Sequence, residues 1–346
     1  MRAIVIHRYG PPDVLSYEEI ADPQPGTGEI RIRIHAATVN RVLDVSLRAG
    51  KETAREPILP LVPGVDCAGV VDAVGPDIKR WRRGMRVAAA GVMPLEPCAE
   101  EGGGYLGRKG MMGIKRPGGF AEMVAVPACA AVEVPDGLGF HDAAVLMRHA
   151  PTAWNLLVNV AALKAGETVL IMGAGGNLGS LGIQIAKNII GASVIAAAGS
   201  DARVQTGLTF GADHGINYNA CNLTAEVMKL TGGRGVDVLY DNIANPKVLP
   251  EAFRSLGMDG RLVTAGAHAG PNVSIDFSHL YHNHITVKGQ PGHHAPDVRK
   301  CFAAAVEGKI KPQVAHVLPL SRAADAHRMM EAGTAQGKIV LDPTLG

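Results

Sequence analysis

The residues with the strongest chemical signature form a glycine-rich turn, GAGGNLG, between an apolar run and a helical stretch. In this setting Gly173 permits a tight turn, Gly176 lets the backbone approach a pyrophosphate, and Gly179 allows close helix–strand packing. Asn177 and Leu178 begin the helix, whose free N–H groups attract phosphate. The pattern predicts a dinucleotide site, whereas a glycine turn outside a strand–turn–helix setting would indicate only a turn.

The end of the next apolar run, Ser193–Ala198, indicates which dinucleotide is bound. NAD sites carry an acid about 20 residues after the glycine motif, where it accepts hydrogen bonds from the ribose hydroxyls. Here Gly199 and Ser200 follow the run instead, so a 2′-phosphate meets no carboxylate there; Ser200 can donate to it and Arg203 can pair with it. NADPH is therefore predicted, although Asp201 lies close by and Arg203 can equally be a solvated helix residue.

Two segments with different sequence patterns must position these groups. Glu29–Ile34 strictly alternates charged and apolar residues, which predicts a half-exposed strand in a segment rich in proline and glycine. From about Thr152 onward, strands and helices alternate, and Thr168–Met172 is continuously apolar, as in a strand covered on both faces. This spacing implies a doubly wound parallel sheet. The segments Pro312–Leu318 and Gly337–Leu341 again have the strand-rich pattern of the first part of the chain.

The predicted fold class is accordingly α/β, with an irregular and mostly antiparallel β domain beside a dinucleotide-binding domain. We expect the β domain at residues 1–149 and the dinucleotide-binding domain at residues 150–291. Residues 292–346 are expected to return to the first domain and complete it.

Composition excludes several classes of function. The chain has 346 residues, a net charge of +2 and only 4% aromatic residues, which gives no support for nucleic acid or a membrane surface as partner. The N-terminal sequence lacks the features of a secretory signal. The five cysteines are odd in number and form no CxxC pair, so we expect free thiols and a cytoplasmic location: Cys67, Cys98, Cys129, Cys221 and Cys301.

Motifs in a fixed order along nearly the whole chain resemble those of one family. They are Pro25-Gly26, Pro63-Gly64-Val65-Asp66, Ala68-Gly69-Val70-Val71, Gly118-Gly119-Phe120-Ala121-Glu122, Thr152-Ala153-Trp154, Gly211-Ala212-Asp213 and Gly337-Lys338-Ile339-Val340. On these the chain resembles the medium-chain dehydrogenase/reductase superfamily, near its quinone-oxidoreductase-like branch. The resemblance implies a GroES-like β domain, a Rossmann domain and an active site between them. It also implies a homodimer through the Rossmann edge strand near Ile285–Lys288.

Zinc-dependent members of that family place metal ligands where this chain has other residues. Their cysteine falls on Asn40, their Gly-His-Glu on Gly64–Asp66, and their third ligand near Arg148. A catalytic zinc needs about three nitrogen, sulfur or oxygen ligands, and neither valine nor arginine supplies one. The family's four structural-zinc cysteines fall on Val92, Leu95, Cys98 and Leu106. We therefore expect no metal, and a former zinc lobe held by apolar packing.

The resemblance places four polar residues in the active-site cleft: Asn40, Asp44, Asp66 and His149. Asn40 can donate to an oxyanion or to the nicotinamide amide, or can cap local backbone. For Asp44 we expect an ion pair with Arg41 or Arg48. Asp66 either orients a partner or is a buried hydrogen-bonding residue. His149 is a candidate proton donor, with a packed core histidine as the alternative.

Further cofactor contacts are implied by the resemblance alone. Tyr218 would neighbour the adenosine phosphate, Asn245 would contact a ribose, and Gly266 and Ala267 would form the turn that meets the nicotinamide. Each can also be an ordinary loop residue. Some quinone-reductase relatives carry a tyrosine where this chain has Ser46, so a tyrosine proton donor is not transferred.

Without a Lewis acid, hydride addition to a polarised C=C is more accessible than reduction of a simple ketone. The expected function is thus NADPH-dependent reduction of a small-molecule quinone, enone or enoyl compound. A zinc-free alcohol or carbonyl dehydrogenase is the first alternative. A non-catalytic NADPH-binding protein is the second.

Overall fold

The computed structural model describes residues 1–51, 57–90, 111–267, 269–270, 272–290, 292 and 295–346. The chain divides into two compact units. The first comprises Met1–Arg148, His294–Val306 and Pro312–Gly346, and the second comprises His149–His293 and Glu307–Lys311. The C-terminal segment thus belongs mainly to the first unit.

The strands are numbered along the chain. They are β1 (Arg2–Ile6), β2 (Leu15–Glu19), β3 (Glu29–Thr38), β4 (Asp66–Val74), β5 (Arg86–Ala90), β6 (Met123–Pro127), β7 (Ala131–Glu133), β8 (Thr168–Met172), β9 (Ser193–Ala198), β10 (His214–Asn217), β11 (Val236–Asp241), β12 (Leu256–Thr264), β13 (Thr286–Gly289), β14 (Val314–Pro319) and β15 (Lys338–Asp342).

The α-helices are α1 (Ser46–Arg48), α2 (Phe140–Trp154), α3 (Asn177–Ile185), α4 (Asp201–Thr209), α5 (Leu223–Leu230), α6 (Leu249–Arg254), α7 (Phe277–His282), α8 (Ala295–Val306) and α9 (Ala323–Ala332). π-helical turns adjoin three of them, at Arg41–Val45, Asn155–Val160 and Ala186–Ile190. Short 3₁₀ turns lie at Pro12–Val14, Ala128–Ala130 and Leu320–Arg322. Among the described residues, none of the helices has the length and apolar character needed to span a bilayer.

The first unit is built on a sheet with the strand order β14-β15-β3-β4-β5-β7, in which β6 also pairs with β3. Its pairs are antiparallel except β14 with β15. Strand β3 has the alternation that the sequence predicts, because Ile30, Ile32 and Ile34 are buried against the core. The C-terminal strand β15 pairs with β3, so the last part of the chain completes the first sheet.

The second unit contains a parallel sheet with the order β10-β9-β8-β11-β12-β13. Every residue of β8 is buried, as expected for a parallel strand covered on both faces. After β10 the chain crosses to the other side of β8, which creates a switch point between β8 and β11. The predicted α/β class, with a GroES-like sheet and a doubly wound Rossmann sheet, is confirmed.

Among the cysteines that the structure describes, Cys129 differs from expectation. Cys129 is disulfide-bonded, so the expectation of free thiols throughout is wrong there. Cys67 and Cys301 are free and buried, whereas Cys221 is free but exposed. The former zinc lobe, with Val92, Leu95, Cys98 and Leu106, lies outside the described residues.

One buried histidine of the first unit has an unusual environment. His327 of α9 is fully buried, and neither ring nitrogen has a hydrogen-bond partner among the described residues. Its ring meets Phe120 edge-on, with 6.1 Å between the ring centroids. Burial, with a smaller effect from the charge of Arg48, lowers the pKa of His327 to about 3. The folded protein therefore holds this imidazole neutral at physiological pH.

Replacing His327 with leucine should stabilise the protein. At pH 7 we expect a gain of about 1–3 kcal/mol in unfolding free energy, because the substitution removes two unpartnered buried polar atoms. In the wild type, the unfolded chain takes up a proton below its pKa of about 6.5 while the folded chain does not, so stability falls as pH drops toward 3. His327→Leu should lack this loss, whose steepest slope is about 1.4 kcal/mol per pH unit. Urea unfolding at pH 7, 6 and 5 measures both effects, and a destabilised variant at pH 7 would contradict the prediction.

Candidate active site

The carboxyl ends of the parallel strands collect the predicted cofactor residues of the second unit. The glycine turn follows β8, Gly199 and Ser200 follow β9, and Tyr218 follows β10. Asn245 lies beyond the end of β11, and Gly266 and Ala267 lie beyond the end of β12. In open α/β sheets ligands bind at this edge, next to the switch point. The topology therefore brings the predicted cofactor residues to one edge of one sheet.

The glycine turn has the backbone geometry that a phosphate loop needs. Gly173 has a φ of +69°, which other residues rarely adopt. A Cβ on Gly179 would lie 2.3 Å from the carbonyl oxygen of Gly173, so only glycine permits this close approach of helix and turn. Gly176 precedes α3 without a side-chain cap, which leaves the first N–H groups of the helix free of a side-chain partner. The turn thus offers an anion site at a helix N-terminus.

Two side chains beside the turn add to its polar character. The Oδ1 and Nδ2 atoms of Asn177 are buried and have no hydrogen-bond partner among the described residues. Buried amides of this kind normally have partners, so Asn177 fits a ligand at the turn. Asn242, which the sequence analysis missed, donates from Nδ2 to the carbonyl oxygen of Met172 at 2.9 Å. Its Oδ1 atom would lie 2.5 Å from a Cβ on Gly173, so Asn242 braces the glycine turn.

The loops after β9 and β10 form one cluster. Asn219 donates from Nδ2 to the carbonyl oxygen of Gly199 at 2.8 Å, and the Tyr218 hydroxyl would lie 3.0 Å from a Cβ on Gly199. Asp201 accepts a hydrogen bond of 2.8 Å from Asn217. Arg203 is exposed on α4 and lies next to the glycine turn. Its Cβ is 2.6 Å from the position that a Cβ added to Gly175 would take.

In this cluster the Asp201 carboxylate is held by Asn217, whereas the Arg203 guanidinium is open to solvent. Burial raises the pKa of Tyr218, so its hydroxyl stays protonated and can donate. The combination suits an anionic group better than a neutral ribose hydroxyl.

The remaining cofactor candidates lie in local turns. The Oδ1 atom of Asn245 accepts a hydrogen bond from the Lys247 N–H at 2.9 Å, as in an ordinary turn. The carbonyl oxygen of Gly266 accepts from the Thr264 hydroxyl at 3.3 Å, and Ala267 follows. The other polar atoms of Asn245 are left for a ligand. Its contact with a ribose stays a prediction.

Asp66, at the start of β4, is the centre of a buried polar network in the first unit. Its Oδ1 atom accepts from the Thr38 N–H at 2.9 Å and from the Thr38 hydroxyl at 2.6 Å. Its Oδ2 atom accepts from Asn40 Nδ2 at 3.1 Å. Antiparallel pairing of β3 and β4 positions these groups, since Thr38 ends β3 where Asp66 begins β4. Asp66 is thus a fully buried, hydrogen-bonded carboxylate, one of the two alternatives proposed for it.

Lys338 is the member of this network that the sequence analysis missed as a site residue. It begins β15, is buried, and donates from Nζ to Asn40 Oδ1. Burial lowers the pKa of Lys338 to about 8, against the opposing effect of Asp66. The sequence contains a signal for it, because a single cation precedes the apolar run Ile-Val-Leu at the start of this strand. A lysine in such a place is rarely buried unless a partner balances its charge.

The expected ion pair of Asp44 is wrong. Its carboxylate is fully buried and accepts backbone hydrogen bonds from Asn40 N–H at 2.7 Å and Gly64 N–H at 3.2 Å. Arg48 pairs instead with Glu331, and Arg41 forms no ion pair with Asp44. Burial, reinforced by the charge of Asp66, raises the pKa of Asp44 to about 7. The site therefore carries a carboxyl group that exchanges its proton near neutral pH.

In the first unit, other residues and contacts occupy the positions at which zinc-dependent relatives carry metal ligands. Val65 is buried, and the oxygens of Asp66 are engaged by Thr38 and Asn40. The Lys338 ammonium adds a positive charge beside them. No cluster of histidine, cysteine and carboxylate side chains suited to a metal occurs in the described ranges. His149, the fourth predicted catalytic residue, is half-buried in α2 and begins the second unit.

Comparison with known proteins gives matches over the whole chain. The family model described as "Alcohol dehydrogenase GroES-like domain" matches residues 26–136, and "Zinc-binding dehydrogenase" matches residues 177–307. A 2-haloacrylate reductase of Burkholderia sp is 30% identical over 99% of this chain and 98% of its own length. A human quinone oxidoreductase is 28% identical, with 99% and 97% covered.

A solved NAD-dependent alcohol dehydrogenase superposes with a TM-score of 0.89 at 34% identity, covering 99% of both chains. Two family models, end-to-end relatives and a shared fold agree with the geometry of both units. The members of this group are oxidoreductases that use nicotinamide cofactors. This chain belongs to the medium-chain dehydrogenase/reductase superfamily, in its quinone-oxidoreductase-like branch.

Proposed function

We propose that the chain is an NADPH-dependent reductase that acts on a polarised C=C bond, in a quinone, enone or enoyl compound, without zinc. The carrying observation is the buried network of Asn40, Asp66 and Lys338. Asn40 stands where zinc-dependent relatives keep a cysteine, and Asp66 directly follows Val65, which stands where they keep a histidine. A carboxylate already engaged by three donors, with an ammonium ion in the same network, is a poor zinc ligand.

The second unit supports NADPH as the cofactor. The glycine turn and the N-terminus of α3 suit a pyrophosphate, and the Asn177 amide suits a further contact. Ser200 and Arg203 suit a 2′-phosphate, because the only carboxylate between them, that of Asp201, is held by Asn217. When bound, this cofactor would supply the hydride.

The protein's own part in the reaction follows from the electron flow. When a hydride adds to the β-carbon of an enone, the π electrons move toward the carbonyl oxygen, and a proton then completes the product. A donor that faces this oxygen lowers the barrier because the charge develops there. Asn40 and Lys338 keep small exposed fractions, 5% and 6%, whereas Thr38, Asp44 and Asp66 are completely buried. Because the Lys338 ammonium already donates to Asn40 Oδ1, the donor is assigned to the Asn40 amide.

A steady-state assay with purified protein tests this function. We expect NADPH oxidation with quinones, cyclic enones, acrylates and enoyl thioesters, and little turnover of the corresponding saturated ketones. Metal analysis of the same preparation should find less than stoichiometric zinc. Turnover of simple ketones or alcohols would instead indicate a carbonyl dehydrogenase, and NADPH binding without turnover of any substrate would indicate a non-catalytic protein.

We propose further that the enzyme is a cytoplasmic homodimer. All four residues of the edge strand β13 are exposed, which leaves one side of the sheet open to a second copy of the same strand. The free thiols of Cys67, Cys221 and Cys301 support a reducing compartment, whereas the disulfide of Cys129 does not, so the cytoplasmic location rests on the three free thiols alone. Light scattering on the protein as it elutes from a size-exclusion column measures its oligomeric state. A monomer at micromolar concentration would contradict the proposed dimer.

A further inference from the structure

The side-chain amide of Asn40 lies between two groups of opposite hydrogen-bonding character. The ammonium of Lys338 can only donate, and it meets Oδ1. The carboxylate of Asp66 accepts, and it meets Nδ2 at 3.1 Å. Turning the amide over would set its N–H groups against the ammonium and its oxygen against the carboxylate. Chemistry therefore fixes an orientation that is otherwise ambiguous for asparagine.

We infer that Lys338 is a positioning residue for the reaction, which locks and polarises the Asn40 amide so that its N–H serves as a donor to the substrate oxygen. The inference rests on the proposed function. One N–H of Asn40 is held by Asp66, and the other makes only long contacts of 3.3 Å with the Thr38 carbonyl and hydroxyl oxygens. This second N–H is weakly held, so a developing oxyanion that lies along its direction can replace the two long contacts while the amide keeps its orientation.

The ammonium also strengthens this donor. A cation on the carbonyl oxygen of an amide draws electrons from the nitrogen, so the N–H groups become better donors, as in other hydrogen-bond chains at low dielectric. Lys338 thus supplies positive charge to the reaction through Asn40, without touching the substrate. An uncharged residue at position 338 would leave Asn40 free to rotate and Asp66 without its buried cation.

Three charged groups face Lys338 from the elements packed around it. Asp66 of β4 and Asp44 of the Arg41–Val45 turn favour its charged form, and Arg148 of α2 opposes it. Burial outweighs the two carboxylates and lowers the pKa of Lys338 to about 8, so the ammonium should be lost near this pH, and the polarisation of Asn40 with it. An arginine at position 338 keeps its charge throughout this range. The two cations consequently predict different pH profiles.

The experiment compares Lys338→Met and Lys338→Arg with the wild type and with Lys229→Met, a matched control at an exposed helix position. We expect kcat of the wild type to fall above pH about 8. Lys338→Arg should keep kcat within about tenfold and lose this alkaline fall. Lys338→Met should lower kcat by about 100-fold at every pH while the KM for NADPH stays within about threefold.

Two results would overturn the inference: Lys338→Met with kcat within threefold of the wild type, or an alkaline fall that persists unchanged in Lys338→Arg. If Lys338→Met does not fold, the double variant with Asp66→Asn removes both buried charges and should fold with equally low kcat. Recovery of wild-type kcat in the double variant would also count against the inference.

A readout without turnover separates this inference from the proposed function. The Asn40 Nδ2 amide resonance, identified by its loss in Asn40→Ser, should titrate near pH 8 in the wild type and stay constant in Lys338→Arg. If the wild type reduces no enone or quinone but this titration is seen, the proposed function fails and the positioning by Lys338 stands. If enones are reduced and the resonance does not titrate, the inference fails alone.

Discussion

Replacing Gly176 with valine should weaken NADPH binding by at least about 100-fold, which corresponds to about 2.7 kcal/mol. Gly176 precedes α3 in an extended conformation, with φ −90° and ψ 162°, which every residue type can adopt. A Cβ there would lie 3.3 Å from the Gly173 oxygen and meet nothing else within 4 Å. The side chain would therefore fit the protein but occupy the space in which a pyrophosphate approaches the turn.

Titration calorimetry with NADPH measures this loss, and thermal unfolding shows that the variant is folded. We expect the unfolding free energy to fall by only about 1 kcal/mol, because valine is a poor residue before a helix. Gly139→Ala is the matched control, since a Cβ there meets nothing within 4 Å and the backbone is not left-handed. Undiminished NADPH affinity in a folded Gly176→Val variant would show that the cofactor does not bind at this turn.

The second large effect is expected from Arg203→Glu. It should raise the Kd for NADPH by about 100-fold and leave the Kd for NADH within about threefold, because only NADPH carries the 2′-phosphate that the guanidinium would pair with. The new carboxylate also repels that phosphate and can accept from the ribose hydroxyls of NADH. The variant should thus reverse the preference between the two cofactors.

Arg83→Glu makes the same change of charge at an exposed position in the first unit and should alter neither Kd. Measuring both cofactors with both variants separates a local contact from a general effect of net charge. Equal losses of affinity for NADPH and NADH in Arg203→Glu would mean that Arg203 contacts a group that both cofactors carry. Unchanged affinity for both cofactors would indicate that Arg203 is a solvated helix residue.

The fold could be predicted because its signals are local. The alternation in Glu29–Ile34 and the continuous apolar run of Thr168–Met172 each report burial on one or both faces of a strand. The glycine turn could be recognised for the same reason, since strand, turn and helix are adjacent along the chain. Each signal needs only a few neighbouring residues.

The polar network could not be predicted in the same way. The sequence predicts a pair of Asp44 with Arg41 or Arg48, which lie within one helical turn, but Arg48 pairs with Glu331, which is 283 residues away in the chain. Likewise Asn40 and Lys338 are separated by 298 residues. Sequence proximity favours surface pairs along one helical turn, whereas a buried charge takes whichever partner the sheet brings to it. Periodicity contains no information on that choice.

The pairing of β15 with β3 has a consequence for the order in which the protein is made. During synthesis the ribosome delivers Thr38, Asn40 and Asp66 long before Lys338. Until β15 emerges, Asp66 and Asn40 lack the Lys338 cation, and Ala37 and Thr38 of β3 lack their pairing with β15. Nascent chains stalled before residue 338 should thus be captured by chaperones and cut by proteases at the first sheet, and activity should arise only once β15 has been made and has paired with β3.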